Sequence, residues 1–351
     1  MIDYLIVGGG IAGLCFAELC LQNKKSFKLI TDDSQNSSKI AGGLYNPVIL
    51  KRFSGLEDAE VQLNYLDAFY DTIEKRLEVQ INFPLPLLRK FFSIEEQNNW
   101  FQAVDQVKLA PFLSTIIEKK IISGIDAPFN YGKVLRTGYV DTALFVSKYQ
   151  EYLKERDLIW NNTFQYSELV MDKNYINYKG VEAIKIVFAE GFGIHANPYF
   201  NYLPLDGTKG ELFIIKAPDL NLKDIINTSV FILPLGNDLF KVGATYNWQD
   251  KTDEPTEEGR KELITRIKEI LQCDFEIISH FAGVRPTVKD RKPLVGNHEA
   301  FKNVYILNGL GTRGVMLGPY CAKMLYEYSE NDIEIPLNYS IKRFKKKLFS
   351  F

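Results

Sequence analysis

The chain has 351 residues, of which 46% are hydrophobic and 25% charged, enough apolar material for a core spread over about two domains. Its 42 Lys+Arg against 44 Asp+Glu leave a net charge of −2, which excludes a global electrostatic pull toward nucleic acid or an anionic membrane. Cys15, Cys20, Cys273 and Cys321 show no CxxC or Cys/His ligand spacing, and with only three histidines no metal cluster is expected.

The apolar stretch from Ile2 to Leu21 is interrupted by Asp3, a run of three glycines and Glu18, and no basic segment precedes it. It reads as neither a signal peptide nor a membrane span, so a cytoplasmic protein with reduced thiols is the expectation.

In chain order, Tyr4–Val7 has the character of a buried parallel strand, Ile11–Gln22 that of a helix, and Phe27–Thr31 that of a second strand, together the size of a βαβ unit. Helical periodicity returns at Glu57–Glu78 and Asp141–Arg156. The stretch Phe91–Arg136 is mixed, with short apolar runs and many turns. Strand-like runs follow at Tyr175–Tyr178 and Ala183–Phe188. A strand-rich region then covers Glu211–Ile215, Ser229–Leu233 and Leu239–Val242, with a hairpin turn at Leu235–Asp238. Glu257–Gln272 is a charged helix, Val304–Leu307 a last buried strand, and a final helix reaches about Ser329. This is α/β organisation at both ends with a strand-rich insertion.

Gly8-Gly9-Gly10-Ile11-Ala12-Gly13 fits GxGxxG directly after a strand and at the opening of a helix. Gly8 permits the tight turn, Gly10 lets the backbone approach a pyrophosphate, and Gly13 lets helix and strand pack closely. The helix N-terminus offers free N–H groups and a positive dipole to the phosphates. Asp32, at the end of the second strand, is the acid expected for the ribose hydroxyls, with Asp33 as fallback. The motif specifies a dinucleotide, with NAD, NADP and FAD all compatible.

Three further segments narrow the choice: Ser37–Pro47, His280–Gly296 and Gly309–Pro319. With the glycine fingerprint they resemble the D-amino-acid oxidase family of FAD-dependent oxidoreductases, and within it glycine oxidase-like and tRNA-uridine-modifying members. The resemblance implies a Rossmann-like FAD-binding domain (1–85, 137–205 and 283–351) and a second, mainly antiparallel β substrate domain (86–136 and 206–282), both discontinuous in sequence. It implies FAD contacts from Ser38, Ala41, Gly42 and Gly43, and from the turn carrying Gly309, Gly311, Thr312 and Gly314. No cysteine or histidine falls at a position for flavin attachment, so the FAD is expected to be non-covalent. Pro319 is expected in the first turns of the last helix, where proline is tolerated.

The resemblance also implies that Arg285 and Arg313 face a substrate carboxylate, a task for which the planar guanidinium fork suits. Tyr246, expected at the end of the strand Lys241–Tyr246, is a further pocket candidate. The implied reaction is oxidation of the C–N bond of a small amino acid or N-substituted glycine, with oxygen or another electron acceptor. Alternatives are removal of a carboxymethyl group from a modified tRNA uridine and an inactive flavin-binding protein. The basic run Lys342–Lys347, with Phe344, Phe349 and Phe351, reads as a solvated terminal helix rather than an RNA or membrane contact.

Overall fold

The computed structural model describes residues 1–32, 34–172 and 175–347, so Asp33, Phe349 and Phe351 lie outside the described residues. The N-terminal βαβ unit forms as strand Ile2–Val7, helix Ile11–Gln22 and strand Phe27–Thr31; the helix and second strand have the expected boundaries, and the first strand begins two residues before the expected Tyr4. Both strands are nearly all buried, as parallel strands covered on two faces must be. The first strand pairs in parallel with the second (Tyr4↔Phe27) and, on its other edge, with Val181–Phe188 (Val7↔Phe188). Ile159–Asn161 extends one side of this sheet, and Val304–Asn308 joins Val181–Phe188 in parallel. The result is a mixed eight-stranded sheet with a parallel centre, edged by antiparallel strands at Leu169–Met171, Ile176–Tyr178 and Leu294–Asn297, and its strand Ile2–Val7 leads into the glycine turn.

A second sheet of eight strands runs in the order Glu276–Arg285, Thr208–Lys216, Leu239–Gly243, Phe231–Gly236, Ile225–Asn227, Leu87–Lys90, Tyr131–Val134 and Leu113–Glu118. All its pairings are antiparallel except that between Ile225–Asn227 and Leu87–Lys90. Its outer face packs on the helix Glu257–Lys268 through Phe213, Ile215, Val242, Leu263 and Ile267. The expected hairpin is present, with Gly236, Asn237 and Asp238 all at positive φ in the turn.

Several expectations needed adjustment. The mixed stretch after Phe91 contains a helix, Ile94–Val104, whose first turn is capped by Ser93 Oγ accepting from Glu96 N at 3.1 Å. The segment His280–Arg285 belongs to a ten-residue strand, Glu276–Arg285, which runs past the expected boundary at 282/283. The last helix begins at Gly314 and ends at Asn331, so Pro319 does fall within its first turns, but in the second, past the start where proline loses no bond. Proline there cannot donate to the carbonyl of Val315, four residues back. The buried Tyr70 hydroxyl donates to that carbonyl instead, at 3.0 Å, which compensates for the missing bond.

The three helices behind the dinucleotide strands are tied by one buried carboxylate. Glu18, fully buried on Ile11–Gln22, accepts from Arg76 Nε (2.9 Å) and Nη2 (3.0 Å) on Ala59–Leu77, and from the Tyr149 hydroxyl (2.5 Å) on Thr142–Glu155. Removing one partner of such a network strands the others without solvation. Glu18→Ala should therefore lower the unfolding free energy by about 3 kcal/mol, seen as an earlier urea midpoint at unchanged m-value.

Candidate active site

Between the two sheets lies a cavity of about 750 Å³. Its floor begins at the glycine turn. Gly8 has φ +109°, a conformation that side chains rarely adopt, and a Cβ there would lie 2.3 Å from the carbonyl oxygen of Ala189. A Cβ on Gly13 would lie 1.9 Å from the carbonyl oxygen of Gly8, so helix and turn meet only because neither residue has a side chain. Gly9 N donates to Thr31 Oγ1 (3.1 Å), and Gln150 Nε2 donates to Gly9 O (2.9 Å), which holds the turn in place from both sides. At the helix start, Ile11 N donates to Ser38 Oγ at 3.1 Å, and Gly10, Ile11 and Ala12 line the cavity.

The segment Ser38–Gly43 crosses from the helix start toward the second sheet. Gly42 lies against the Phe231 ring, with a hypothetical Cβ at 2.7 Å, and Gly43 has φ +70° with a hypothetical Cβ 2.0 Å from Val140 O. The carbonyl of Ala41 accepts from Lys241 Nζ at 3.2 Å. Lys241 is half-buried on the second sheet; burial lowers its pKa, with distant Asp141 opposing. The opposite wall carries the 3₁₀ turn Gly311–Arg313 and the opening of the last helix at Gly314.

Of the residues singled out from sequence, Gly8, Gly10, Asp32, Ser38, Ala41, Gly42, Gly43, Tyr246, Arg285, Gly311, Thr312, Arg313 and Gly314 all line this one cavity. Gly13 and Gly309 do not. Gly13 serves the helix–turn contact, and Gly309, at φ +71°, packs against Val288 and Leu294 behind the wall.

Arg285 ends its strand with its guanidinium lying across Gly210 of the neighbouring strand, where a Cβ would fall 1.8 Å from Nη2. It donates to Thr245 O at 3.3 Å and stacks over the Tyr246 ring at 4.6 Å. Burial lowers its pKa, opposed by Tyr246, and among the described residues it has no carboxylate partner. The strand that precedes Tyr246 stops at Gly243, so Tyr246 stands in the following loop, 59% exposed, rather than at a strand end. Arg313 is half-buried, donates to Arg291 O at 3.3 Å, and likewise lacks a carboxylate partner among the described residues.

At the other part of the cavity stand two carboxyls. Asp32 accepts from Ser34 N at 3.0 Å; burial raises its pKa, but hydrogen bonds from Ser34 and Thr163 outweigh this and hold it below the usual range. Glu190, which the sequence reading passed over, accepts from the Tyr166 hydroxyl and from Asn197 Nδ2 (2.7 Å). Burial pushes it up to about 7 against those two hydrogen bonds, with Asp32 adding to the rise. Its place directly after the buried strand Val181–Phe188 and Ala189 was a usable signal, since ligands of open α/β sheets bind at the carboxyl ends of strands.

A strand, glycine turn and helix with an acid closing the second strand, all opening on a long cavity walled by another sheet, define a dinucleotide-binding protein. The glycines let strand, turn and helix close on one another, with protein atoms where side chains would start, so that the backbone of the turn lines the cavity. Residues 3–328 match the family of FAD dependent oxidoreductases known as DAO, and the chain belongs to that family.

Among curated proteins it is 20% identical over 366 residues to glycine oxidase of Bacillus subtilis, covering 94% of this chain and 93% of that one. It is 24% identical over 318 residues to the tRNA 5-methylaminomethyl-2-thiouridine biosynthesis bifunctional protein MnmC of Legionella pneumophila, covering 86% of this chain and 47% of that protein. The chain therefore spans about half the length of that bifunctional relative. Among solved structures, glycine oxidase from Geobacillus kaustophilus superposes with a TM-score of 0.76 at 17% identity, over 97% of this chain and 98% of that one. The protein is thus an FAD-dependent oxidoreductase with the two-part fold of glycine oxidase. None of its described helices is long and apolar enough to cross a membrane.

Gly13→Ala tests the cradle. The added methyl has no room against Gly8 O, so the variant should purify without the visible flavin absorbance of the parent, and added FAD should restore little of it.

Proposed function

We propose that the chain oxidises the carbon–nitrogen bond of a small amino acid or N-substituted glycine, with Arg285 and Arg313 orienting the substrate carboxylate. The observation that carries this reading is Arg285 itself: a half-buried, cavity-lining guanidinium with no carboxylate partner among the described residues. A buried charge without a partner is costly, and an anionic ligand offsets that cost. Gly210 leaves the fork flat across the strand, with Tyr246 stacked on one face, so the donors that remain point at a planar acceptor such as a carboxylate.

FAD, when bound, supplies the hydride acceptor. The protein's part is to fix the donor carbon's orientation and keep competing water out. Ser38, Ala41, Gly42 and Gly43, with the Gly311–Gly314 turn, hold the cofactor non-covalently, and Asp32 holds its ribose. The helix that opens at Gly314 turns its positive end toward the cavity, where it favours negative charge. This reading divides the chain into a cofactor domain around the parallel sheet and a substrate domain around the second sheet. Four unpaired thiols suit a reducing, cytoplasmic setting.

Arg285→Lys keeps the charge and loses the fork. It should retain its flavin while kcat/KM for the best amine falls about a hundredfold, the equivalent of about 3 kcal/mol for a charged bidentate contact. Anaerobic bleaching of the flavin by a panel of glycine, N-alkyl glycines and D-amino acids identifies that amine; unchanged kinetics in the variant would discard the role.

A second reading draws on Tyr246, which lines the cavity yet is 59% exposed, leaving the mouth open to a substituent larger than an alkyl group. A carboxymethylaminomethyl group carried on a tRNA uridine is an N-substituted glycine of that kind. Retention on immobilised tRNA that weakens steeply between low and moderate salt is its expected signature, and elution insensitive to salt argues against it.

A further inference from the structure

Asp32 is not the only acid on the adenosine side of the glycine turn. The backbone leading into Glu190 presses on that turn: a Cβ on Gly8 would lie 2.3 Å from Ala189 O and 3.1 Å from Glu190 N. The Glu190 side chain lines the cavity and is addressed by two neutral donors, the Tyr166 hydroxyl from the 3₁₀ turn Tyr166–Glu168 and Asn197 Nδ2. Among the described residues, Asp32, after the second strand, is the one charged side chain that acts on it, and the action is repulsive. His195, on the same 3₁₀ turn as Gly191, packs its ring on Phe192 at 4.8 Å. No lysine, arginine or histidine among the described residues forms an ion pair with Glu190.

We propose that Glu190 is a proton-linked cofactor-binding residue: the protein holds FAD with the Glu190 carboxyl neutral, and uptake of the dinucleotide draws a proton onto it. The inference rests on the dinucleotide lying in this cavity. An FAD pyrophosphate brings negative charge to a turn that Glu190 adjoins, and the bound ligand displaces water that would otherwise solvate a carboxylate. Both effects favour the neutral form, and a neutral carboxyl keeps a hydrogen to donate to the ligand.

The sign follows from linkage. In the protein without cofactor, burial already places the group near 7. Binding raises it further. Affinity is therefore full at acid pH and falls as pH climbs through about 7, by about tenfold per unit until the value in the complex is reached. Asp32 titrates well below this window and Tyr166, raised by burial and by Glu190, well above it.

The experiment dilutes the flavin-loaded protein at a series of pH values from about 6 to about 9 and reads released FAD by its recovered fluorescence. The wild type should lose affinity at least about tenfold between pH 7 and 9. Glu190→Gln should be flat across the range, near the wild-type affinity at low pH, while His195→Asn should keep the wild-type slope. Calorimetric titration of the flavin-stripped wild type with FAD at pH 8, in two buffers of different ionisation heat, should show net proton uptake. This settles the matter even where Glu190→Gln does not fold. A flat wild type, an equal slope in Glu190→Gln, a slope lost in His195→Asn, or zero proton uptake overturns the proposal while leaving the cofactor site in place. Failure of the wild type to bind FAD at any pH overturns the placement of the cofactor as well.

Discussion

The architecture depends on one close approach: the carbonyl oxygen of Gly8 occupies the space where a side chain on Gly13 would start. That approach seats the helix Ile11–Gln22 on its strand so that the helix N-terminus, rather than a side chain, faces the cavity. Everything behind it is arranged to keep the helix there. Gly318 of the last helix meets Ile11 and Cys15 with no Cβ in between, and Glu18 joins the helix to two others through Arg76 and Tyr149. The carboxylate is buried, so its charge is satisfied by these donors rather than by water. Packing at the back thus sets the position of free amides at the front.

A second absence of side chain governs the other wall. Gly210 and Gly283 are paired across neighbouring strands of the second sheet, and Arg285, two residues on, folds its guanidinium over the gap at Gly210. The two walls share a method: glycine makes room, and a polar group from elsewhere in the chain fills or faces the room. At Gly42 the filler is the Phe231 ring of the second sheet, which brings the two halves of the molecule into contact beside the cavity.

How far this was readable in the sequence follows from the range over which each feature acts. The βαβ unit and its fingerprint were legible, apart from the start of the first strand at Ile2 rather than Tyr4, because strand, turn, helix and acid are all local. The helix Ile94–Val104 was missed although Ser93-Ile94-Glu95-Glu96 is the pattern of a capping box and Trp100, Ala103 and Val104 recur at helical spacing. The strand Glu276–Arg285 was seen only as a motif, and the end of the strand at Gly243 was placed three residues late, at Tyr246. Strand ends are decided by partners, and those partners lie far along the chain. Lys241 and Glu190 belong to no motif. Their significance comes from which carbonyl or carboxylate the fold brings beside them, Ala41 O in one case and Asp32 in the other.

These placements give the cavity an electrical direction. Its carboxyls, Asp32 and Glu190, follow the ends of parallel-sheet strands, whereas its guanidinium groups, Arg285 and Arg313, stand on the second sheet and at the last helix. On the function proposed above, a carboxylate-bearing substrate would be drawn toward the wall where Tyr246 and Arg285 are stacked. On the same proposal, the sugar hydroxyls of the cofactor would suit the side of Asp32. The pairing of these groups is uneven: among the described residues Arg285 has no carboxylate partner, whereas Ser34, Tyr166 and Asn197 hold the two acids of the other side.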